Sequence, residues 1–213
     1  MYNTNIKAIL FDMDGVVIDS EKLYSSSEKR LLAKYGVKFD SNDWNYIKGC
    51  TESQFYDLIY KKFDIPVPRN QLIKEGRSYL MDVFSEKLNY MNGFKSLYSK
   101  INQQYKLALV TSTGPVLVNH IDSLLNIKSK FNVVITSDDT KLHKPHGAPY
   151  RKAMKLLGVK EEECMVVEDS LQGIKSGKSA GAIVVALEGS IEKKYLKDAD
   201  YIISNLTHIQ NIL

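Results

Sequence analysis

The sequence predicts an α/β protein built on a doubly wound parallel sheet, with a smaller all-helical unit inserted after the first strand. Three observations carry this expectation. Short apolar runs of strand length recur at residues 6–11, 106–110, 132–135, 164–167, 182–187 and 201–203. Helix-period patterns separate the later runs, and strands alternating with helices imply parallel βα units. Residues 21–89 break that rhythm, because they hold helical patterns and no convincing strand.

The first run, Ile6-Lys7-Ala8-Ile9-Leu10-Phe11, is apolar enough for a buried strand, and Gly15 marks the turn by which the chain leaves the sheet. The insertion then presents apolar faces at Leu23, Leu31, Leu32 and Tyr35, at Phe55, Leu58 and Ile59, and at Leu72, Tyr79, Leu80, Val83 and Phe84. Gly36 ends its first helix, Thr51-Glu52-Ser53-Gln54 has the capping-box form of a helix start, and Pro66 and Pro68 mark a further break. Placed directly after the first strand, this unit is expected to lie over the sheet's crevice as a lid. Beyond it, Phe94, Leu97, Tyr98 and Ile101 share one helical face, as do Leu117, Ile121, Leu124 and Leu125. So do Tyr150, Ala153, Met154 and Leu157, with Gly158 as the stop signal.

Composition narrows the class. The 213 residues are 44% hydrophobic and 25% charged, which suits an ordinary globular protein able to build a core. No apolar stretch is long enough to span a bilayer, and Met1-Tyr2-Asn3-Thr4-Asn5 lacks the basic-then-apolar order of a signal peptide. Cys50 and Cys164 have no metal spacing and form no even framework, so two reduced thiols in a cytoplasmic protein are expected. The net charge of +4 is dispersed; Lys61-Lys62 and Lys193-Lys194 read as solvated helix faces. No basic stripe suited to nucleic acid is visible, and neither nucleic acid nor membrane is an expected partner. The mild positive bias favours an anionic substrate.

The chemistry concentrates at strand ends. Asp12 and Asp14 stand one residue apart where the first strand meets Gly15. In open α/β sheets the carboxyl ends of central strands form the ligand crevice, so one acid can attack a substrate while the other moves a proton. The plain alternative is an Asp- and Gly-rich turn. An EF-hand loop is excluded by Val16, Val17 and Ile18, which are apolar where oxygen ligands belong. Three further segments carry reactive groups. Thr111-Ser112-Thr113-Gly114-Pro115 ends a strand in hydroxyls and opens a helix, a form that can cradle phosphate or merely cap. Lys144 precedes the Tyr150 helix, and Glu168-Asp169-Ser170 ends another apolar run in carboxylates, which suggests a hard cation.

Taken in order, Asp12-x-Asp14-Gly15-Val16-Val17-x-Asp19-Ser20-Glu21, Thr111-Ser112, Lys144-Pro145 and Glu168-Asp169-Ser170 resemble the motifs of the haloacid-dehalogenase superfamily of phosphotransferases. The resemblance covers nearly the whole chain and is nearest to the branch of phosphoglycolate phosphatase-like enzymes, sugar-phosphate phosphatases and β-phosphoglucomutase. It implies a Rossmann-like catalytic core over residues 1–19 and 90–213 and a helical cap over 20–89. It also implies a Mg²⁺-dependent phosphatase of small phosphomonoesters (sugar, polyol or short acid phosphates) acting through an aspartyl-phosphate. The implied partner is a small phosphorylated metabolite, and a monomer or weak dimer is expected.

The implied roles are specific. Asp12 is the nucleophile, and Asp14 the general acid and then base. Mg²⁺ is held by the Asp12 carboxylate, the Asp14 backbone carbonyl and Asp169, with Glu168 assisting directly or through water. Thr111, Ser112 and Lys144 bind the transferring phosphoryl oxygens. In the cap, Lys48-Gly49-Cys50-Thr51-Glu52 resembles the substrate-specificity loop. The mutase branch carries arginine at the position of Glu52 and histidine at that of Tyr24, so both departures favour hydrolysis over a β-phosphoglucomutase-type isomerisation, while Lys48 keeps the isomerase open. Asp19 is expected as hinge and helix cap. The Gly147-Ala148 pair departs from the family pattern. From another class, a non-catalytic binding module on this fold is the alternative.

Overall fold

The protein is described by a computed structural model that covers residues 5–37 and 50–213. Six strands form one parallel sheet: β1 (Ala8–Phe11), β2 (Lys106–Val110), β3 (Val133–Ile135), β4 (Cys164–Glu168), β5 (Ile183–Leu187) and β6 (Tyr201–Ile203). Their spatial order is β3-β2-β1-β4-β5-β6, so β1 is flanked on both sides and the order reverses beside it. Phe11 stands level with Leu109 of β2 and Val167 of β4, which brings the residues after three strands to one edge.

The alternation of side chains explains the two helical layers. Ile9, Phe11, Leu109, Met165 and Val167 point to one face, under α4 (Phe94–Ile101) and α5 (Pro115–Leu125). Leu10, Val110, Val166 and Val184 point to the other, under α6 (Ala148–Leu157) and α7 (Leu171–Ala180). Phe94 anchors the first face: its ring meets Phe11 edge-on at 5.9 Å and stacks on Tyr90 at 5.4 Å.

Between β1 and β2 lie α1 (Glu21–Lys34), α2 (Glu52–Lys62) and α3 (Arg69–Lys87), around a core that includes Leu31, Leu32, Phe55, Ile59 and Leu72. The chain leaves the sheet and returns to it side by side: the Asp19 amide donates to Asn89 O and the Met91 amide to Val17 O, both at 2.9 Å. The end of α3 joins the main core through Leu80 and Phe84.

Local expectations and structure agree closely where the signal is local. Thr51 and Gln54 exchange both bonds of a capping box, and the left-handed Gly36 and Gly158 follow the ends of α1 and α6. Two readings need correction. Leu124 is 39% exposed and Val118 takes its place inside, because α5 turns its Leu117–Ile121 side to the sheet. The N-cap of α1 is Ser20 rather than Asp19, and its hydroxyl is used elsewhere. Lys48 lies outside the described residues.

Phe94 packs against Phe11 of the sheet and Tyr90 of the segment returning from the insertion, so truncation opens a cavity in this buried core. Phe94→Ala is expected to lower unfolding free energy by about 3–5 kcal/mol, measured by urea denaturation.

Candidate active site

The carboxyl ends of β1, β2 and β4 meet over a buried ammonium. Lys144 is 3% exposed and directs its Nζ donors to Asp12 Oδ1 (2.5 Å), Glu168 Oε1 (2.6 Å) and Val110 O (3.1 Å). Burial alone would lower this lysine, but the charges of Asp12 and Glu168 outweigh it and hold it above its ordinary value. Its ammonium also lies 5.1 Å from the centre of the Tyr150 ring, whose hydroxyl donates to Glu168 Oε1 at 2.7 Å.

Glu168 is saturated. Its Oε2 accepts from the amides of Asp169 (3.2 Å) and Ser170 (3.4 Å) and from the Ser170 hydroxyl (3.1 Å). That hydroxyl in turn accepts the Gly173 amide and caps α7. A Cβ on Gly173 would fall 1.8 Å from the Glu168 carboxyl carbon, so only glycine lets the helix start this close to the acid.

Asp14 is aimed differently. After Gly15 turns the chain with φ +78°, the Asp14 carboxylate accepts from Ser20 Oγ and from Thr113 Oγ1, each at 2.7 Å. Burial raises it to about 6, and those two hydrogen bonds restrain the rise. Thr111 Oγ1 accepts the Thr113 amide at 3.0 Å and sits 3.5 Å from Asp14 Oδ2. The Tyr24 hydroxyl lies 3.3 Å from Thr113 Oγ1, and Ser112 lines the cavity above.

Asp12, Glu168 and Asp169 present carboxylate oxygens within 4.8 Å of one another. Asp169 Oδ2 is buried with no hydrogen-bond partner, and it packs so near Gly15 that a Cβ there would stand 1.9 Å away. Burial pushes both Asp12 and Asp169 well above the ordinary carboxylate range; Lys144 pulls Asp12 back, while Glu21 drives Asp169 further up. An orphaned oxygen beside an acid that wants a counter-charge is the donor set of a hard cation. With Glu168 committed to Lys144, Tyr150 and the start of α7, the oxygens open to such an ion belong to Asp12 and Asp169.

A cavity of about 150 Å³ opens over these groups and is walled on the far side by α1, α2 and α3. Glu52 reaches it, yet its carboxylate is gripped by Arg77 of α3: Nε donates to Oε1 at 2.8 Å and the second guanidinium nitrogen donates to Oε2. Sequence reasoning missed Arg77, as it missed Thr113, Tyr150 and Glu28. Arg77 and Glu28 lie on helices whose facing direction no local pattern reports. The Thr113 hydroxyl could have been suspected from the Thr-Ser-Thr run itself.

Glu28 lines the same cavity half-buried, and burial with the nearby Glu21 charge pushes it to about 8. The folded state therefore binds a proton that the unfolded chain has released, and stability falls as pH rises from the ordinary carboxylate range through 8. Glu28→Gln is expected to raise Tm, with a gain small at pH 5 and largest at pH 9. Equal gains at both pH values would contradict the assignment.

Comparison with known proteins gives the site its context. The model of the haloacid dehalogenase-like hydrolase family matches residues 9–187. A phosphorylated carbohydrates phosphatase of Thermotoga maritima is 29% identical over 177 residues, covering 83% of this chain and 82% of that protein. The pyrophosphatase PpaX of Bacillus cereus is 27% identical, covering 98% and 96%. Among solved structures, the β-phosphoglucomutase of Clostridium difficile superposes with a TM-score of 0.81 at 22% identity, covering 97% and 96%, a likeness of fold.

Proposed function

The chain belongs to the haloacid dehalogenase-like hydrolase family, and from that premise we propose that it is a Mg²⁺-dependent phosphatase of small phosphomonoesters. The observation that carries this reading is the division of labour between two acids one residue apart. Asp12 faces Lys144 and the acidic cluster, whereas Asp14 faces Ser20, Thr113 and the cavity. The phosphatase names of the Thermotoga maritima and Bacillus cereus relatives support it.

In the reading proposed here, an Asp12 carboxylate oxygen attacks phosphorus as the bond from phosphorus to the ester oxygen breaks. Asp14 gives its proton to the departing alkoxide, and its hydrogen bonds from Ser20 and Thr113 keep it aimed. Asp14 then takes a proton from a water that attacks the phosphorus of the aspartyl-phosphate, freeing Asp12 and inorganic phosphate. Lys144 sets its charge against Asp12, which offsets the repulsion between that carboxylate and the incoming phosphate. Thr111 and Ser112, at the end of β2, lie where they can meet the phosphoryl oxygens, and Tyr24 flanks the leaving group. A bound Mg²⁺ supplies the remaining neutralisation of phosphate and carboxylates. The Asp12 and Asp169 carboxylates, with the Asp14 backbone carbonyl, are the groups that would hold it.

Residues 20–89 act in this reading as a cap, moving about the paired backbone at Val17–Asp19 and Asn89–Met91. Hydrolysis is favoured over isomerisation because Arg77, the cation that α3 brings to the cavity, is already held by Glu52. An isomerase must grip a second phosphate there.

Asp12→Asn is expected to abolish turnover of p-nitrophenyl phosphate by several orders of magnitude while near-UV circular dichroism stays native. Turnover at the wild-type rate would sink the covalent route. EDTA is expected to silence the wild type reversibly, and Asp169→Asn to raise the Mg²⁺ concentration needed for half-maximal rate. Full activity in excess EDTA would contradict the metal assignment. Conversion of β-glucose 1-phosphate to glucose 6-phosphate faster than phosphate release, with bisphosphate primer present, would replace hydrolysis by isomerisation.

A further inference from the structure

Resting on the phosphatase reading, we propose that Tyr24 is a positioning residue for the acid Asp14. Its hydroxyl fixes the direction of the Thr113 O–H and so turns the Asp14 proton toward the leaving group. The observation is a chain of three side chains from separate parts of the fold. The Tyr24 hydroxyl of α1 lies 3.3 Å from Thr113 Oγ1, which follows β2, and Thr113 Oγ1 lies 2.7 Å from Asp14 Oδ2, which follows β1. The hydrogens along it can be counted. Each hydroxyl carries one, and an ionised carboxylate only accepts. The 2.7 Å contact therefore claims the Thr113 hydrogen, and the hydrogen in the longer contact belongs to Tyr24. Tyr24 has one to give, because burial and the charge of Asp14 hold its hydroxyl well above its ordinary value.

This direction matters most when Asp14 carries its proton. Ser20 Oγ donates to Oδ1 and Thr113 Oγ1 to Oδ2. A Thr113 hydroxyl free to rotate could reverse, accepting the acid's own hydrogen and turning its own elsewhere. A proton held that way points into the hydroxyl chain and away from the substrate. While Tyr24 donates, Thr113 goes on donating to Oδ2, and the carboxyl hydrogen is left to face the cavity that Asp14 lines. In the reaction its O–H bond breaks as the ester oxygen takes the proton and parts from phosphorus. Asp14 is left a carboxylate, and the alcohol departs neutral.

Further contacts hold the chain in place. The Tyr24 ring meets Phe84 edge-on at 5.4 Å, and Phe84 is buried in the main core. The Thr113 amide donates to Thr111 Oγ1 at 3.0 Å, which fixes the backbone beneath the hydroxyl. The Tyr24 amide donates to Ser20 O at 2.9 Å, so the two α1 residues that steer Asp14 stand one helical turn apart. Ser20 acts on one carboxylate oxygen directly, and Tyr24 acts on the other through Thr113.

The test compares phenyl phosphate with p-nitrophenyl phosphate, two esters of similar shape. Nitrophenolate leaves readily without a proton, whereas phenolate needs one, and kcat/KM counts steps only up to that departure. In Tyr24→Phe the ratio of kcat/KM for phenyl phosphate to that for p-nitrophenyl phosphate is expected to fall about fivefold, the factor of one ordinary hydrogen bond. Thr113→Val is expected to lower the ratio at least as far, and Thr113→Ser to keep it. In a Thr113→Val background Tyr24→Phe is expected to lower it no further. An unchanged ratio in Tyr24→Phe overturns the proposal, even where KM rises for both esters, since Tyr24 is then only a wall of the cavity. Additive losses in the double variant overturn it too, because the effect would not pass through Thr113. If Tyr24→Phe fails to fold, equal ratios in Thr113→Val and Thr113→Ser overturn the proposal. All of these outcomes leave the phosphatase reading standing. No turnover of p-nitrophenyl phosphate by the wild type in Mg²⁺ overturns that reading itself.

Discussion

The buried ammonium of Lys144 is the constraint on which the site depends. A charge taken out of water is tolerated only when opposite charges and hydrogen bonds meet it, and here all three partners come from separate strands: Asp12 after β1, Val110 at the end of β2 and Glu168 at the end of β4. Those ends must therefore stay level, as the register of Phe11 with Leu109 and Val167 keeps them. Removing one partner of such a pair typically costs about 3–5 kcal/mol, because the other charge is left buried and unmatched. The second carboxylate of the triad does not lie idle. Glu168 binds Tyr150 and the first turn of α7, so the charge of Lys144 is tied to the packing of the helical layer behind the sheet.

Around that fixed centre the two acids after β1 differ because their neighbours differ. Asp12 meets an ammonium and other carboxyls; Asp14 meets only hydroxyls at its oxygens. The first arrangement suits an anion waiting beside a cation. The second suits a group that gives and takes a proton near neutral pH. Met13 alone separates them in the chain, and Gly15, by lacking a Cβ, leaves room for Asp169. The helical wall adds the ion pair of Arg77 with Glu52, and Glu21 and Glu28 line the same cavity.

The strands, the helical insertion and the ends of its helices were legible because they are written in short-range patterns: apolar runs, glycine stops, a capping box. Leu124 and Val118 show where such patterns end, since both belong to plausible faces of α5 and only contact with the sheet selects between them. The boundary at Asp19 and Ser20 shows the same limit, because the Ser20 hydroxyl is drawn to Asp14 rather than to the amides of its own helix.

The sequence by itself determined which groups gather in one place: Asp12, Asp14, Thr111, Lys144, Glu168 and Asp169 end apolar strands or precede helices, and the carboxyl ends of a parallel sheet's strands share one edge. Only the tertiary structure decided how those groups share their charges. It gave both oxygens of Glu168 to Lys144, Tyr150 and α7, left Asp169 Oδ2 without a partner, and paired Glu52 with Arg77 from another helix. It also set Ser27 and Glu28 against the cavity. The reason is distance: a propensity acts over a few residues, whereas the field at a carboxylate is set by whatever folding brings within a few ångströms, however far away it lies in the chain.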